Sequence, residues 1–270
     1  MVMELVRKLP YDHPYRWDGT AFGGPKLWQP NEITTALWLD AADADTITLN
    51  GSNVSQWDDK SGNDKHATQT GSTSQPESGA DTINGLNTLK FDGSNDRLLI
   101  SSPLSSPINN AYMFIVYKVN STSTSGTCFQ FGSVRWLAHA PWSDGNIYFD
   151  LEGPSNRERI SAASGFSVGD DVLMGFYGSV TDDAQEIWKN GSLLASATGG
   201  NYSVTAASTA EIGGVSGSQY QSASIGEIVL VESTVDETTR QKIEGYLAWK
   251  WGLEANLPAL HPYEDAPPTV

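Results

Sequence analysis

Residues 246–253 read Tyr-Leu-Ala-Trp-Lys-Trp-Gly-Leu and end a helical pattern close to the C-terminus of the chain. The pattern places large side chains three and four residues apart, at Ile243, Tyr246, Leu247, Lys250 and Trp251. This spacing predicts an α-helix with a wide apolar stripe along one face. The residue pattern before the helix predicts mostly short strands. The helix must therefore bury its aromatic face on a structure formed by those earlier residues.

Residues at both ends of this pattern indicate where the helix begins and stops. Thr234, with Glu237 three residues later, is typical of a capping box. Gly252 follows the last periodic residue, where a left-handed glycine commonly ends a helix, and Pro258 prevents the helix from resuming. We therefore predict a closing helix over about 235–251.

The chain before the helix alternates short runs of β-forming residues with turn residues. The run Tyr112–Val119 predicts a central strand buried on both faces. Asn190 and Gly191 separate two such runs and predict a hairpin with a type I′ turn. The other predicted strands cover residues 36–40, 88–91, 147–151, 172–177, 184–188, 193–197 and 225–231. This pattern predicts an all-β protein, an antiparallel jelly-roll sandwich of two packed sheets with one C-terminal helix.

Several motifs, in a fixed order before the helix, give the chain a family resemblance. They are Ala-Leu-Trp-Leu-Asp-Ala at 36–41, Trp-Asp-Asp-Lys-Ser-Gly-Asn at 57–63, Leu-Lys-Phe-Asp-Gly-Ser-Asn-Asp at 89–96, Ile-Trp-Lys-Asn-Gly at 187–191 and Ile-Gly-Glu-Ile-Val-Leu at 225–230. With them, the chain resembles the concanavalin A-like lectin/glucanase superfamily, in its laminin G-like, pentraxin-related branch. Members of this kind occur in bacterial surface proteins and in virion proteins of tailed phages. The resemblance spans roughly 33–263 and implies the same jelly-roll fold.

The first 32 residues have a different composition from the rest. They hold four prolines and no helical or strand period, together with five aromatic residues, Tyr11, Tyr15, Trp17, Phe22 and Trp28. Aromatic residues anchor interfaces, so we predict an extended assembly arm over 1–32. The sandwich domain then covers 33–263, including the closing helix, and residues 264–270 form a C-terminal tail.

Charge and cysteine content exclude some classes of function. The chain of 270 residues has a formal net charge of −16, which argues against nucleic-acid binding and against docking on an anionic membrane. Cys128 is the single cysteine, so no disulfide can form within the chain. Neither a signal peptide nor a membrane-spanning apolar stretch is visible. We expect a protein that folds in the host cytoplasm and acts in a virion, without membrane insertion.

Two catalytic patterns occur in the sequence, and neither predicts an enzyme. Related glucanases carry Glu-x-Asp-x-x-Glu on one strand, whereas here Val229 takes the place of the Asp between Glu227 and Glu232. The two glutamates would lie on opposite faces of a strand, which does not suit a glycosidase acid pair. The Gly-x-Ser-x-Gly pattern at 165–169 lacks the following helix of a nucleophile elbow. We predict no catalytic residues.

The sequence also gives little support for a cofactor or metal site. The four histidines have no metal-ligand spacing, so we predict no zinc site. Two oxygen-rich loops could bind calcium: Asp58, Asp59 and Asn63 in one, and Asp92, Asn95 and Asp96 in the other. Neither loop supplies the six to eight ligands that calcium takes, so turns stabilised by their own Asp and Asn side chains are the favoured interpretation.

One segment, residues 134–146, combines tryptophan with polar residues in the way that sugar sites do. Sugars stack on tryptophan rings and exchange hydrogen bonds with polar side chains. The candidate glycan-binding residues are Arg135, Trp136, His139, Trp142, Asp144 and Asn146. The alternative is that these tryptophans lie in the core of the sandwich.

The sequence and the resemblance together predict a non-enzymatic phage structural protein. We favour a decoration (cement) protein of the capsid, with the capsid shell, other virion proteins and further copies of itself as partners. The leading alternative is a tail or fibre adhesin that binds a host-surface glycan. A glycoside hydrolase is the third possibility.

Overall fold

A computed structural model describes residues 26–101, 104–105, 107–131, 136–152, 157–200, 202–205, 209–215 and 217–270. These residues contain one α-helix, α1 (Glu237–Trp251), and seventeen β-strands. The strands are β1 (Leu37–Asp40), β2 (Ile47–Asn50), β3 (Asn53–Trp57), β4 (Ala67–Thr68), β5 (Glu77–Ile83), β6 (Leu86–Asp92), β7 (Leu98–Ser101), β8 (Asn110–Val119), β9 (Phe129–Phe131), β10 (Trp136–His139), β11 (Asn146–Glu152), β12 (Arg157–Ala163), β13 (Asp171–Ser179), β14 (Ala184–Lys189), β15 (Ser192–Ala197), β16 (Thr209–Ile212) and β17 (Ser222–Val231).

The strands pair antiparallel throughout and form two layers. One layer runs β15–β14–β13–β8–β17, and β6 and β1 pair with successive parts of the other edge of β17. The second layer runs β12–β11–β10–β9–β16–β7–β4–β3–β2. β5 pairs with β6 in the first layer, and a single residue pair between β3 and β5 links the two layers. The predicted all-β sandwich with a C-terminal helix is confirmed.

The middle layer is buried on both sides. Met113, Ile115 and Tyr117 of β8 face the core between the two sheets, whereas Tyr112 and Phe114 face α1. The predicted central strand is therefore confirmed, and the molecule has three layers, with the helix outside the sheet that contains β8. The hairpin β14–β15 also forms as predicted, with positive φ at Asn190 (49°) and Gly191 (77°).

The closing helix begins two residues later than its predicted N-terminus. Asp236, not Thr234, is the N-cap, and its side chain accepts the backbone N–H of Thr239 at 2.7 Å. The prediction was wrong because Asp236 offers the same capping chemistry closer to the first buried turn. The C-terminal end is as predicted, since Gly252 adopts a left-handed conformation with φ 70°.

The N-terminal residues that the structure describes belong to the sandwich. Leu27 pairs with Thr269, and Val270 donates its N–H to the carbonyl of Lys26 at 2.9 Å. Trp28 is buried, and its ring meets Tyr246 of α1 edge to face at 6.1 Å. Trp28 is thus a core residue, which corrects its assignment to an assembly arm. The other predicted arm aromatics, Tyr11, Tyr15, Trp17 and Phe22, lie outside the described residues.

In the part of the chain that the structure describes, no helix has both the length and the apolar character needed to cross a bilayer.

Candidate functional site

The structure separates the six predicted glycan-binding residues. Trp136 on β10 is fully buried among the rings of Phe129, Phe131 and Phe149 in the core between the sheets. It cannot stack on a sugar, which corrects its assignment. His139 is buried as well, and Arg135 lies outside the described residues.

The remaining three candidates lie together on the turn between β10 and β11. Trp142 and Asn146 are half-buried, and Asp144 is exposed. The backbone N–H of Trp142 donates to the carbonyl of Asn146 at 2.7 Å, and that of Gly145 donates to Trp142 at 2.9 Å. Gly145 has φ 82°, a conformation that favours glycine. The turn therefore presents one tryptophan and two polar side chains from a hydrogen-bonded frame.

The base of this turn is fixed by the core. The carbonyl of Ala140 accepts hydrogen bonds from the hydroxyl of Tyr117 at 2.8 Å and from the side-chain amide of Gln221 at 3.2 Å. The ring of His139 lies 4.5 Å from the ring of Trp142 and meets it edge to face. Trp142 consequently rests on a buried, hydrogen-bonded base. Its side chain therefore loses less conformational entropy when a ligand binds, which favours binding.

Two further residues, which the sequence analysis missed, complete this surface. Tyr148 on β11 donates its hydroxyl to Asp144 at 2.6 Å, and Arg159 on β12 places its guanidinium 4.6 Å from the centre of the Tyr148 ring. A strand places every second side chain on the same face, so residues 146, 148 and 150 share one face of β11. That alternation is the signal that could have identified Tyr148. We call Trp142, Asp144, Asn146, Tyr148 and Arg159 the hairpin surface.

Hydrogen bonds shift the pKa values of three side chains at the hairpin surface. The Tyr148 hydroxyl and the backbone N–H of Asn146, at 2.9 Å, both donate to Asp144 and lower the pKa of its carboxyl. The same bond to Asp144 raises the pKa of Tyr148. The hydrogen bonds from Arg159 to the buried Asp150, one of them 2.7 Å long, raise the pKa of the guanidinium. The hairpin surface therefore exposes the Asp144 carboxyl group, while the Arg159 guanidinium is held by the buried Asp150.

The glutamates of the glucanase-like pattern are not placed as an acid pair. Glu227 is fully buried and accepts four hydrogen bonds, from Trp38, Tyr246, Lys250 and Trp251. Glu232 is half-buried and accepts the backbone N–H of Ser105 at 2.8 Å. A glycosidase needs both carboxyl groups beside the bond to be cleaved, and α1 closes Glu227 off from any substrate.

The nucleophile-elbow pattern is also part of a connecting loop. Residues 165–169 lead into β13, a strand, and not into a helix. The pattern therefore lacks the strand–turn–helix context that the elbow requires.

The two oxygen-rich loops use their side chains to hold their own backbone. Asp92 accepts the backbone N–H groups of Ser94 and Asn95 at 2.8 and 3.1 Å. Asp59 accepts the N–H groups of Trp38 and Ser61, both at 2.9 Å. Among the residues that the structure describes, no group of three or more His, Cys, Asp or Glu side chains could hold a metal ion.

Comparison with known proteins gives a likeness of fold. No protein-family model matches the chain, and no curated protein matches it. Among solved structures, the ligand-binding domain of botulinum neurotoxin serotype D in complex with N-acetylneuraminic acid matches with a TM-score of 0.61 and 14% identity, over 83% of this chain and 54% of that one. The receptor-binding domain of the botulinum neurotoxin C/D mosaic serotype matches with a TM-score of 0.62 and 15% identity, over 82% and 55%. The receptor-binding domain of botulinum neurotoxin D matches at 0.59 and 16%, over 80% and 53%.

This chain spans about half the length of the toxin domains that it matches. At such low identity, the likeness concerns the β-sandwich and not the ligand. The resemblance to the concanavalin A-like superfamily and to its laminin G-like branch stays a prediction.

Proposed function

We propose that this chain is a non-enzymatic carbohydrate-binding module that holds a glycan on the hairpin surface. The observation that carries the proposal is the placement of the half-buried Trp142 on a hydrogen-bonded turn beside Asp144, Asn146 and Tyr148. An accessible indole stacks on the apolar face of a sugar ring, and the neighbouring amide and carboxylate bind its hydroxyls. The sandwich likeness to a toxin domain solved with a bound sugar gives further support.

The charge at the hairpin surface favours neutral sugars over acidic ones. Asp144 is an exposed acidic side chain, and the guanidinium of Arg159 is already held by the buried Asp150. The chain as a whole has a net charge of −16 and repels anions at long range. We therefore expect neutral hexose or N-acetylhexosamine chains to bind more tightly than sialylated ones.

A glycan array followed by titration calorimetry tests this function. Trp142→Ala removes the stacking ring and should weaken binding at least about tenfold, equivalent to roughly 1.4 kcal/mol. Tyr148→Phe keeps the ring but removes the hydrogen bond to Asp144, so a smaller loss is expected. Leu49→Ala, on the exposed strand β2 at the far end of the same layer, is the matched control and should bind as the wild type does.

The array results can also contradict the proposal. Binding that is equally strong in Trp142→Ala would remove the hairpin surface from the function. Complete absence of binding across neutral and acidic glycans would favour a purely structural role for the chain.

A structural role in a phage virion is the second candidate function. It is supported by the resemblance of the ordered motifs to virion proteins of tailed phages and by the four aromatic residues Tyr11, Tyr15, Trp17 and Phe22 within residues 1–25. In this role the chain decorates the capsid as a homo-oligomer, or forms part of a tail or fibre that carries the glycan-binding surface to a host. Immunogold labelling or an electron cryo-microscopy map of the particle would separate these cases. Label on capsid faces supports decoration, label at the tail supports adhesion, and unlabelled particles contradict both.

A further inference from the structure

A cluster of charged side chains is buried between β1, β17 and α1. The ammonium of Lys250 on α1 lies 2.7 Å from Oδ1 of Asp40 on β1 and 2.6 Å from Oε2 of Glu227 on β17. The side chains of the three residues are 5%, 6% and 0% exposed, respectively. Three elements, β1, β17 and α1, therefore bring an amine and two carboxyl groups into direct contact inside the molecule.

The walls around this cluster are aromatic. The Lys250 ammonium lies 5.6 Å from the ring centre of Tyr246 and 5.3 Å from that of Trp251. The indole N–H of Trp38 donates to Glu227 Oε1 at 2.7 Å, and the indole N–H of Trp251 donates to Oε2 at 2.7 Å. Burying separate charges in such surroundings is unfavourable, so a reaction that removes a pair of charges is favoured here.

The charges of the cluster balance when Glu227 carries a proton. Lys60 extends the cluster, with its ammonium 3.1 Å from Asp40 Oδ2 and 2.6 Å from Asp43 Oδ2. Burial raises the pKa of Glu227. Burial also acts to raise the pKa of Asp40, but the charges of Lys250 and Lys60 outweigh it and lower that pKa. Two lysines then face two aspartates, with Glu227 as a neutral acid beside the Lys250 amine.

We propose that Lys250 and Asp40 condense into an intramolecular isopeptide bond and that Glu227 is the catalytic residue for this reaction. Close contact between the two groups replaces an encounter in solution with a reaction inside one folded chain. Glu227 touches the reacting nitrogen, so it can exchange protons with it directly. The Lys60 ammonium on Oδ2 withdraws electron density from Cγ of Asp40 and makes that carbon a better electrophile.

The reaction balances without a further reagent. Lys250 gives one proton to Oδ1 of Asp40 across their 2.7 Å contact and attacks Cγ as a neutral amine, which forms the Nζ–Cγ bond. Glu227 gives its proton to the departing Oδ1 and takes a proton from the attacking nitrogen, which returns Glu227 to its protonated starting state. The Cγ–Oδ1 bond breaks, and Oδ1 leaves with two protons as water, while Oδ2 remains beside the Lys60 ammonium as the amide oxygen. One ammonium and one carboxylate become a neutral amide.

Such a bond would join the first strand of the sandwich to its closing helix. β1 and α1 lie near the two ends of the described chain, so one covalent link would enclose almost the whole fold. Cross-links of this kind stabilise mainly by restricting the unfolded chain. For a domain without a disulfide, the link would resist pulling at either end.

Mass spectrometry of the denatured full-length protein tests the proposal directly. The intact mass should be lower than the sequence mass by one water molecule, after any removal of Met1 is taken into account. Peptide mapping should then identify a branched peptide that joins residues 40 and 250. An intact mass equal to that of the sequence would overturn the proposal and leave an ionic cluster. A branched peptide that joins Lys60 to Asp40 would overturn the assignment to Lys250.

Three variants separate the chemistry from simple folding effects. Lys250→Arg keeps the positive charge but cannot condense in this way, and it should show the full sequence mass and a lower thermal midpoint. Glu227→Gln keeps the shape of the side chain but not its proton transfer, and it should leave the bond unformed or slow. Lys242→Arg, on the half-buried face of α1, is the matched control and should keep the loss of one water. If Glu227→Gln forms the bond as fast as the wild type does, Glu227 is not the catalytic residue.

Discussion

Asp59 is the side chain that fixes the loop after β3 against the first strand. Its carboxylate accepts the backbone N–H groups of Trp38 and Ser61 at 2.9 Å and that of Lys65 at 3.1 Å. Asn63 from the same motif donates its amide to the carbonyl of Thr35 at 2.9 Å. This motif, one of those on which the family resemblance rests, therefore acts structurally, by satisfying backbone groups that would otherwise be buried without partners.

We expect Asp59→Ala to lower the free energy of unfolding by about 2 kcal/mol or more, because buried backbone N–H groups lose their hydrogen-bond acceptor. Asp59→Asn keeps a carbonyl oxygen of the same shape and should lose less. Urea denaturation of the three proteins gives the comparison. Equal midpoints for Asp59→Ala and the wild type would show that the motif is not structural.

Asp96 is the residue from which we expect a pH dependence. Burial, together with the charges of Asp92 and Glu77, raises the pKa of Asp96 to about 6 from the ordinary value of 3.8. Between these values the folded protein holds a proton that the unfolded chain releases, so this contribution to stability is complete below about pH 4 and is lost as the pH rises through about 6. Urea midpoints of the wild type relative to Asp96→Asn should therefore fall between pH 4 and pH 7. Parallel pH profiles for the two proteins would contradict this assignment.

At the scale of single elements, α1 is a part of the core and not an addition to it. Its buried residues close over Tyr112, Phe114 and Val229 of the sheet beneath. Trp251 is 1% exposed and lies so close to Gly226 of β17 that a Cβ at position 226 would come within 2.8 Å of the indole. Gly226 is therefore the site at which β17 makes room for the helix.

Trp251→Ala should cost about 3–5 kcal/mol of stability, since it removes a large buried ring and leaves a cavity. Trp249→Ala is the matched comparison on the same helix, and it should cost less because Trp249 is only half-buried. Thermal or denaturant unfolding measures both. If both variants unfold at the wild-type midpoint, α1 contributes nothing to the core.

At the scale of the whole molecule, the two ends of the described chain meet in one small ladder. Trp28 donates its backbone N–H to the carbonyl of Pro268 at 3.0 Å, and Leu27 is fully buried. Residues near the N-terminus thus cover α1 together with the last residues of the chain. The first and the last of the described residues therefore pair with each other at the same place in the fold.

Two deletions distinguish this closing role from a role in assembly. Removal of residues 1–30 takes away Leu27 and Trp28 and should lower stability by about 3 kcal/mol or more. Removal of residues 1–25 keeps the ladder and should leave thermal stability near that of the wild type, while self-association or attachment to the particle is lost. Attachment of the shorter deletion at unchanged occupancy would end the proposal of an assembly arm.

The sequence alone predicted the strands, the β14–β15 hairpin, the closing helix and the sandwich. These features depend on alternation, helical spacing and turn residues such as Gly191 and Gly252, all of which act within a few neighbouring positions. The sequence also placed Trp142, Asp144 and Asn146 in one short loop, and the structure keeps these three together because they are the turn itself.

Only the tertiary structure decided which aromatic residues are buried. All four residues of β10, Trp136–His139, are buried, so alternation along this strand gives no signal that Trp136 faces the core. Trp28 is buried by Tyr246, a residue from the other end of the chain, and no local pattern can report such a contact. The same holds for Asp40, Glu227 and Lys250, three ordinary charged residues in the sequence, which become a reactive cluster only when β1, β17 and α1 meet. Burial and charge pairing are properties of surfaces brought together by folding, and the sequence fixes them only through the complete fold.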